Sequence, residues 1–363
     1  RALNEIVVVG YGTQKKANLS GSVAQLDGKT LGNRPIANVS SGLQGLLPGV
    51  TVTGASGAPG LDGGLILVRG VGTLNSASPY ILIDGVEAGT LNSLDPQDIA
   101  SISVLKDASS SAIYGSRGSN GVIIITTKKG QRNQKAQISY DGYVGIQQAT
   151  NVLKMANSSQ YAQMLMEADF GAYNSYFKSS IDRFGGSYAD ADFHNWTYGS
   201  DTNWYEELLR KAMITNHSVN ISGGGERATY TVGVNYLYQN GIMKTDNDYK
   251  RLNFRARVDY DATDWLTVGF NAMMSKANQQ FANNAAWQQA FNAPGIYPVY
   301  DENNVNAFPE KFASPSSVGF TNNFYNPIAT ATYYDSTNRT SLYNTSFYAL
   351  FKLLPEKLSF KTS

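Results

Sequence analysis

The chain has 363 residues, and 29 lysines and arginines against 28 aspartates and glutamates leave a formal net charge of +1. A chain this close to neutral has no long-range field that draws it to nucleic acid. Cysteine is absent, and His194 and His217 are the only histidines, so disulfides, Cys-ligated metals and multi-histidine sites are excluded. We therefore expect no metal, no cofactor and no nucleic-acid partner. The 23 tyrosines and 16% charged residues fit a β-rich protein, an outer-membrane β-barrel among them.

The first 130 residues predict a small α+β domain that follows an extended N-terminal segment. A β-branched run over Glu5–Val9 predicts the extended segment. Beyond it, glycines and small apolar residues separate short periodic stretches. Helices are predicted over Asn38–Leu47 and Ala108–Tyr114, and strands over Thr51–Thr53, Leu65–Arg69, Tyr80–Asp84, Ile102–Leu105 and Val122–Thr127.

Two arginines stand out because this domain has few charges. Arg69 and Arg117 each lie beside a glycine. A buried arginine needs partners, so we expect each to have a structural role and to reach a carboxylate or carbonyl groups, on the domain itself or on a surrounding wall. Binding of an anionic substrate is the alternative.

A polar, basic stretch over Lys128–Lys135 predicts a linker, and the residues after it alternate between apolar and polar. The clearest alternation covers Arg251–Asp261, where Phe254 and Val258 are predicted to face lipid and Arg255 and Arg257 to face a lumen. Strands are predicted over Gln137–Gln147, Asn216–Ser222, Ala228–Gln239, Arg251–Asp261, Leu266–Ser275 and Ser341–Leu353, with a seventh from Lys357.

The connections between these strands alternate between short turns and longer loops. Two loops, 148–214 and 276–340, are very long. Short turns at one end and long loops at the other are typical of bacterial outer-membrane barrels. A soluble β-sandwich also alternates, but it rarely has Arg, Asn and Asp in a row on one face. Seven strands would leave an open edge in lipid, so we expect the chain to be part of a longer polypeptide.

No catalytic constellation is present, so we expect no enzyme and assign no catalytic residue. Gly10-Tyr11-Gly12 follows a strand, but Lys15 stands where a dinucleotide fingerprint needs its third glycine. P-loop, G-x-S-x-G and H-E-x-x-H motifs are absent.

Aromatic and amide side chains in the loops are candidate substrate contacts, because a ring face and paired donors and acceptors suit a sugar or a peptide. Packing of the loops on themselves, or on another protein, is the alternative. The candidates are Trp196, Trp204 and Trp287 in the long loops, and Leu74, Asn75 and Ser76 in the loop Gly72–Pro79.

Several motifs resemble the plug domain of SusC/RagA-type TonB-dependent outer-membrane transporters. The most specific begins at Val104-Leu105-Lys106-Asp107-Ala108, continues through Tyr114-Gly115-Ser116-Arg117-Gly118 and ends at Lys128-Lys129-Gly130. Leu46–Val50, Ser56–Gly60, Val68–Gly70 and Tyr80–Val86 resemble it too, and Asn203-Trp204, Asn216-His217 and Ser222-Gly223-Gly224 resemble the start of the same family's barrel.

The resemblance implies an organisation and a set of partners. Residues 1–19 would hold a TonB box and N-terminal segment, 20–130 a plug, and 136–363 the first seven or so antiparallel strands of a transmembrane β-barrel that has 22 strands in the complete family member. The implied TonB box is Glu5, Ile6, Val7, Val8, Val9 and Gly10; an ordinary plug strand is the alternative. The implied location is the outer membrane of a Gram-negative bacterium. Implied partners are a SusD-like lipoprotein lid, TonB with its ExbB/ExbD energising complex, and the lipid bilayer, with a possible dimer of transporter–lid pairs.

The function expected from the resemblance is TonB-dependent import of an oligosaccharide or other glycan. Peptide import by the same machinery is one alternative. A receptor or adhesin that transports nothing is the other.

Overall fold

The computed structural model describes residues 6–9, 12–15, 23–32, 36–54, 57–61, 64–73, 75–187, 197–305, 308–314, 325–354 and 358–362. None of the described helices combines the length and the apolar character needed to cross a membrane.

The N-terminal segment forms a hairpin. β1 (Ile6–Val9) pairs antiparallel with β2 (Gly12–Lys15), and Val8 lies opposite Thr13. The segment is extended, as its β-branched residues predict, but one edge of the strand is already paired. Glu5 and Gly10 lie outside the described residues.

The plug is built on a five-stranded mixed sheet with the order β3-β8-β9-β6-β7. These strands are β3 (Val23–Asp27), β6 (Tyr80–Ile83), β7 (Val86–Glu87), β8 (Ile99–Leu105) and β9 (Val122–Thr127). A separate hairpin pairs β4 (Val50–Gly54) with β5 (Gly64–Val68). Short helices connect them: α1 (Gly28–Gly32), α2 (Val39–Leu43) and α3 (Ala108–Ser111), with 3-10 turns at Pro96–Asp98 and Ala112–Gly118.

Burial on both faces of β8 and β9 explains their nearly continuous apolar sequence. Ile102, Val104, Ile123 and Ile125 point into the main plug core, while Leu105 belongs with Val122 and Ile124 to a smaller cluster on the other face. Gly28 lets α1 approach β8 closely, because a Cβ at this position would lie 2.0 Å from the carbonyl oxygen of Ile99.

The second region forms one antiparallel sheet of seven strands, which we call the wall, and it confirms the strand number predicted from the alternation. The strands are paired in chain order. They are β10 (Gln134–Gln147), β13 (Ala212–Gly224), β14 (Ala228–Asn240), β15 (Asp248–Asp261), β16 (Leu266–Gln280), β17 (Thr337–Leu354) and β18 (Leu358–Thr362).

The two faces of the wall differ in the way the sequence predicts. On β15, Asn253, Arg255 and Arg257 are buried on the inward face, whereas Phe254 and Val258 are exposed on the outward face. Cross-strand partners keep this alternation in register, since Val258 lies opposite Phe270, and Phe270 opposite Phe347. A one-residue shift would exchange the faces. The inward face carries the plug.

The described parts of the two long connections, at the outer end of the wall, contain helices. The first contains α4 (Ser158–Ala168), α5 (Phe170–Phe184), the short pair β11 (Gly186–Ser187) and β12 (Thr197–Tyr198), and α6 (Trp204–Leu208). The second contains α7 (Asn284–Asn292) and α8 (Pro327–Thr332). Both contribute to one apolar cluster that includes Phe177, Trp204 and Tyr297. An ion pair between Arg183 and Asp301, with Nη2 2.7 Å from Oδ2, also joins the two loops.

Candidate functional site

The plug is held on the wall by buried charges. Arg251 and Arg255 of β15 are only 1% and 2% exposed. Arg251 donates to the carbonyl oxygen of Asn92, and Arg255 donates to that of Lys128 at 2.9 Å. The Nη2 of Arg255 also lies 3.3 Å from Oδ1 of Asp98. Because both side chains reach plug atoms, they fix the height of the plug along β15.

A third arginine extends this contact toward the short-turn end of the wall. Arg257 Nη1 lies 3.6 Å from Oδ2 of Asp84, and its Nε donates to Asp259 at 3.1 Å. Asp84 has a φ of 50° at the turn after β6, and it accepts hydrogen bonds from the backbone N–H and the hydroxyl of Thr127. That bonding orients the carboxylate toward the arginine. We call Arg251, Arg255 and Arg257, with Asp84, Asp95 and Asp98, the charged seam.

Asp95 and Asp98 bring two carboxylates close together within the seam. Asp95 caps the 3-10 turn by accepting from the backbone N–H of Gln97 at 3.0 Å, and Pro96 fixes the first residue of that turn. Burial, with the nearby charge of Asp98, raises the pKa of Asp95 to about 6. Burial also raises the pKa of Asp98, although Arg255 and Lys128 oppose the shift. Removal of these carboxylates from water therefore outweighs their attraction to the arginines.

The apex loop of the plug, residues 57–61, is attached to the outer part of the wall. Gln279 donates to the carbonyl oxygen of Pro59 at 2.6 Å, and Gly60 N–H donates to Gln239 at 3.4 Å. Gly60 has a φ of +69°, and a Cβ there would lie 2.1 Å from the ring of Tyr249. Only glycine fits this contact without displacing the ring.

A cavity of about 440 Å³ opens between this apex loop and the outer loops. Its plug side is Gly57–Pro59, and the opposite side includes Met243, Asn247 and Trp287. Trp287 is 37% exposed, and its ring lies 4.9 Å from that of Tyr205, which is buried. The cavity thus offers an aromatic face, an amide and apolar surface at the outer mouth.

The other predicted tryptophans have different positions. Trp204 is 2% exposed, and its indole N–H donates to the carbonyl oxygen of Pro294 at 3.0 Å. It belongs to the core of the loops and presents no face to a ligand, so the alternative of loop packing holds for it. Trp196 lies outside the described residues.

Of the predicted residues in the loop Gly72–Pro79, Asn75 and Ser76 do not line the mouth cavity. Asn75 and Ser76 are exposed, and the hydrogen bonds of this loop remain within the plug: Asn75 N–H donates to Thr73, and Asn120 donates to the Ser76 carbonyl. Leu74 lies outside the described residues.

Arg69 and Arg117 contact plug carboxylates, as expected. Contrary to the expectation, neither arginine is buried. Arg69 pairs with Asp107, and Arg117 pairs with Glu87 at 2.8 Å. Their side chains are 56% and 65% exposed, so each pair adds little to stability. Asp107 precedes α3 without capping it by its side chain.

Sequence reasoning placed Arg255 and Arg257 in the lumen but missed their partners in the plug. Asp95 and Asp98 were assigned no role from the sequence. Their spacing around Pro96 was the available signal, since two acids in a domain with few charges need cations nearby.

Comparison with known proteins agrees with this architecture. Residues 15–122 match the model of the TonB-dependent receptor plug domain. The chain is 36% identical over 336 residues to TonB-dependent receptor P26 of Formosa agariphila, covering 90% of this chain and 31% of that protein. It is 33% identical to TonB-dependent receptor SusC of Bacteroides thetaiotaomicron, again over 90% of this chain and 31% of the relative. The chain therefore spans about a third of the length of these curated relatives.

Among solved structures, the RagAB peptide importer in its open-open state matches with a TM-score of 0.78 and 26% identity, over 98% of this chain and 41% of that one. Together, the plug, its docking on the wall and these matches define a TonB-dependent receptor plug with part of its β-barrel. Within that class, the chain belongs to the SusC/RagA type of TonB-dependent transporters.

The raised pKa of Asp95 predicts that plug stability falls as the pH rises. The carboxyl binds its proton more tightly in the docked plug, with a pKa of about 6, than in the unfolded chain, at 3.8. The free-energy cost of ionising Asp95 in the folded protein is therefore absent below pH 3.8 and complete above about pH 6. We expect Asp95→Asn to raise the free energy of plug unfolding at pH 8 by up to about 3 kcal/mol, and to change it little at pH 4.

Calorimetry of the plug transition in the full-length receptor measures this difference. Asp27→Asn, at an exposed position that keeps its acceptor for the Lys29 N–H, is the control and should follow the wild type. Equal pH dependence in the wild type and Asp95→Asn would contradict the assignment.

Proposed function

We propose that the chain is the plug and first barrel strands of an outer-membrane transporter of a Gram-negative bacterium, which imports a nutrient with energy delivered through TonB. The observation that carries this proposal is the plug docked by buried charges on the inward face of the wall. Such a plug obstructs the lumen, so cargo passes only when the seam is broken. The outer membrane has no nucleotide supply of its own, so the work must enter from the periplasmic side.

The proposed point of entry is the TonB box, Glu5–Gly10. Its β-branched residues favour an extended strand, and an extended segment can pair with a partner by strand addition. In the described structure β1 pairs with β2. A partner strand would therefore pair with the other edge of β1, or the hairpin would have to open. Each backbone hydrogen bond gained contributes about 0.5–1.5 kcal/mol net, so a short strand can transmit a pull.

An oligosaccharide is the cargo we favour. The exposed face of Trp287, beside Tyr205 and close to Asn247, offers the stacking surface and amide that a sugar ring uses. A peptide is the second candidate, and the similarity to the RagAB peptide importer supports it. A receptor that transports nothing is the third, and it would not need the TonB box.

The proposal also includes partners and an assembly. They are a SusD-like lipoprotein lid, the ExbB/ExbD complex and a dimer of transporter–lid pairs.

The pairing of the N-terminal hairpin provides a test of whether the TonB box couples TonB to cargo uptake. We expect Val8→Pro to lower cargo uptake by the full-length protein about tenfold or more, because proline removes a backbone donor from the strand that TonB would pair with. Cargo binding to purified protein should not change. Thr13→Pro is the matched control, since Thr13 lies opposite Val8 on the second strand of the same hairpin.

Uptake of labelled cargo by cells separates the possibilities. Loss in Val8→Pro with normal uptake in Thr13→Pro supports the TonB box. Equal loss in both variants would assign the segment a structural role within the plug. Normal uptake in Val8→Pro would remove the coupling segment from the proposal.

The mouth cavity provides a test of cargo class. We expect Trp287→Ala to weaken binding of the preferred oligosaccharide by about 0.5–1.5 kcal/mol or more, because the stacking surface is lost. Phe291→Ala is the control: it lies one turn further along α7, is exposed, and does not line the cavity.

Calorimetric titration of the full-length receptor with oligosaccharides and with peptides of similar mass measures both effects. Binding of oligosaccharides that depends on Trp287 supports the glycan proposal. Binding of peptides alone would favour the second candidate.

A further inference from the structure

Three cations lie together on the outward face of the wall, at the end that carries the long loops. Lys250 of β15 is opposite Asn278 of β16, which is opposite Arg339 of β17. Lys276 lies two residues from Asn278, so it is the neighbouring outward position on β16. Adjacent strands are about 4.8 Å apart, which puts all three Cα atoms within reach of one ligand. We call Lys250, Lys276 and Arg339 the outer cation patch.

The patch is exposed and only partly neutralised. All three side chains are exposed. Lys250 Nζ lies 2.8 Å from Asp248 and 5.5 Å from the ring centre of Tyr238. Within the described ranges, neither Lys276 nor Arg339 forms an ion pair. Three cations therefore face one carboxylate, and the excess positive charge has no partner on the described part of the chain.

An exposed apolar surface begins directly beside the patch. Leu252 lies opposite Lys276, and Met274 lies opposite Tyr343. All three apolar side chains are exposed on the outward face, and Phe347 continues the surface two rows further. Cations at the outer end and apolar side chains below them match the two parts of a phosphorylated lipid: its phosphate and its acyl chains.

We propose that the outer cation patch binds a phosphate group of an outer-leaflet glycolipid of the lipid A type, whose acyl chains lie along Leu252, Met274 and Tyr343. The proposal rests on the outer-membrane location given above. Lysine and arginine donate strong charge-assisted hydrogen bonds to phosphate oxygens. A soluble acidic protein would match the cations but would leave the adjoining apolar surface without a partner, so the lipid is the better fit.

The test uses the full-length receptor in detergent, with native mass spectrometry as the readout. The probe is bisphosphorylated lipid A, compared with dephosphorylated lipid A and with inorganic phosphate. One variant combines Lys250→Gln, Lys276→Gln and Arg339→Gln. A second, charge-conserving variant combines Lys250→Arg, Lys276→Arg and Arg339→Lys. Lys154→Gln, in an exposed loop position, is the single-charge control.

We expect the glutamine variant to bind lipid A at a level about tenfold or more below that of the wild type. The charge-conserving variant and Lys154→Gln should bind it at the wild-type level. Heat-modified gel mobility checks that each barrel is folded. Unchanged lipid A binding by the folded glutamine variant, or equal binding of the dephosphorylated lipid, would overturn the proposal. Displacement of lipid A by equimolar inorganic phosphate, or capture of an acidic protein instead of lipid, would also overturn it.

Cargo uptake is measured separately on the same variants. Normal uptake with lost lipid binding leaves the transport proposal intact and confirms the lipid site. Lost uptake with retained lipid binding in the Val8→Pro variant shows that lipid binding does not depend on uptake.

Discussion

The buried charged seam is the contact on which the rest of the structure depends. Three arginines on one strand of the wall face plug carboxylates and carbonyl groups, and they are almost completely shielded from water. Breaking a buried pair by removing one partner is costly, whereas the intact pair gains little over an apolar contact. Such an interface therefore specifies where the plug sits more than it stabilises it. That combination suits the proposed import mechanism, in which the plug is held in place and then moved.

The seam also relates the two ends of the molecule. At the outer end, Gln279 and Tyr249 contact the apex loop, and that loop forms one side of the mouth cavity. At the other end, Asp84 binds Thr127, which directly precedes the linker to the first wall strand. A displacement of the plug along the wall would therefore change the cavity and the seam together. The raised pKa values of Asp95 and Asp98 show that the docked state already includes an unfavourable electrostatic cost.

The sequence predicted most of the fold, and its errors have a physical cause. The wall strands were recognised because one face is apolar, and each alternates with period two. Their outer ends were missed where the outward residues become polar: β15 begins at Asp248 rather than Arg251, β16 ends at Gln280 rather than Ser275, and β17 begins at Thr337 rather than Ser341. The site was less predictable. Arg255 and Asp98 are 157 residues apart in the chain, and Trp204 is buried in a cluster to which the second long loop contributes, so both depend on contacts that no local pattern contains.

A double-mutant cycle on Arg255 and Asp98 tests the central claim most directly. The free energy of plug unfolding is measured in the full-length receptor for the wild type, Arg255→Gln, Asp98→Asn and the double variant. If the seam holds the plug, Arg255→Gln alone should destabilise it by about 3–5 kcal/mol, and the double variant should be less destabilised than the sum of the single ones by about 0.5–3 kcal/mol. Additive effects within error would show that these two residues do not act on each other, and that the plug is held by other contacts.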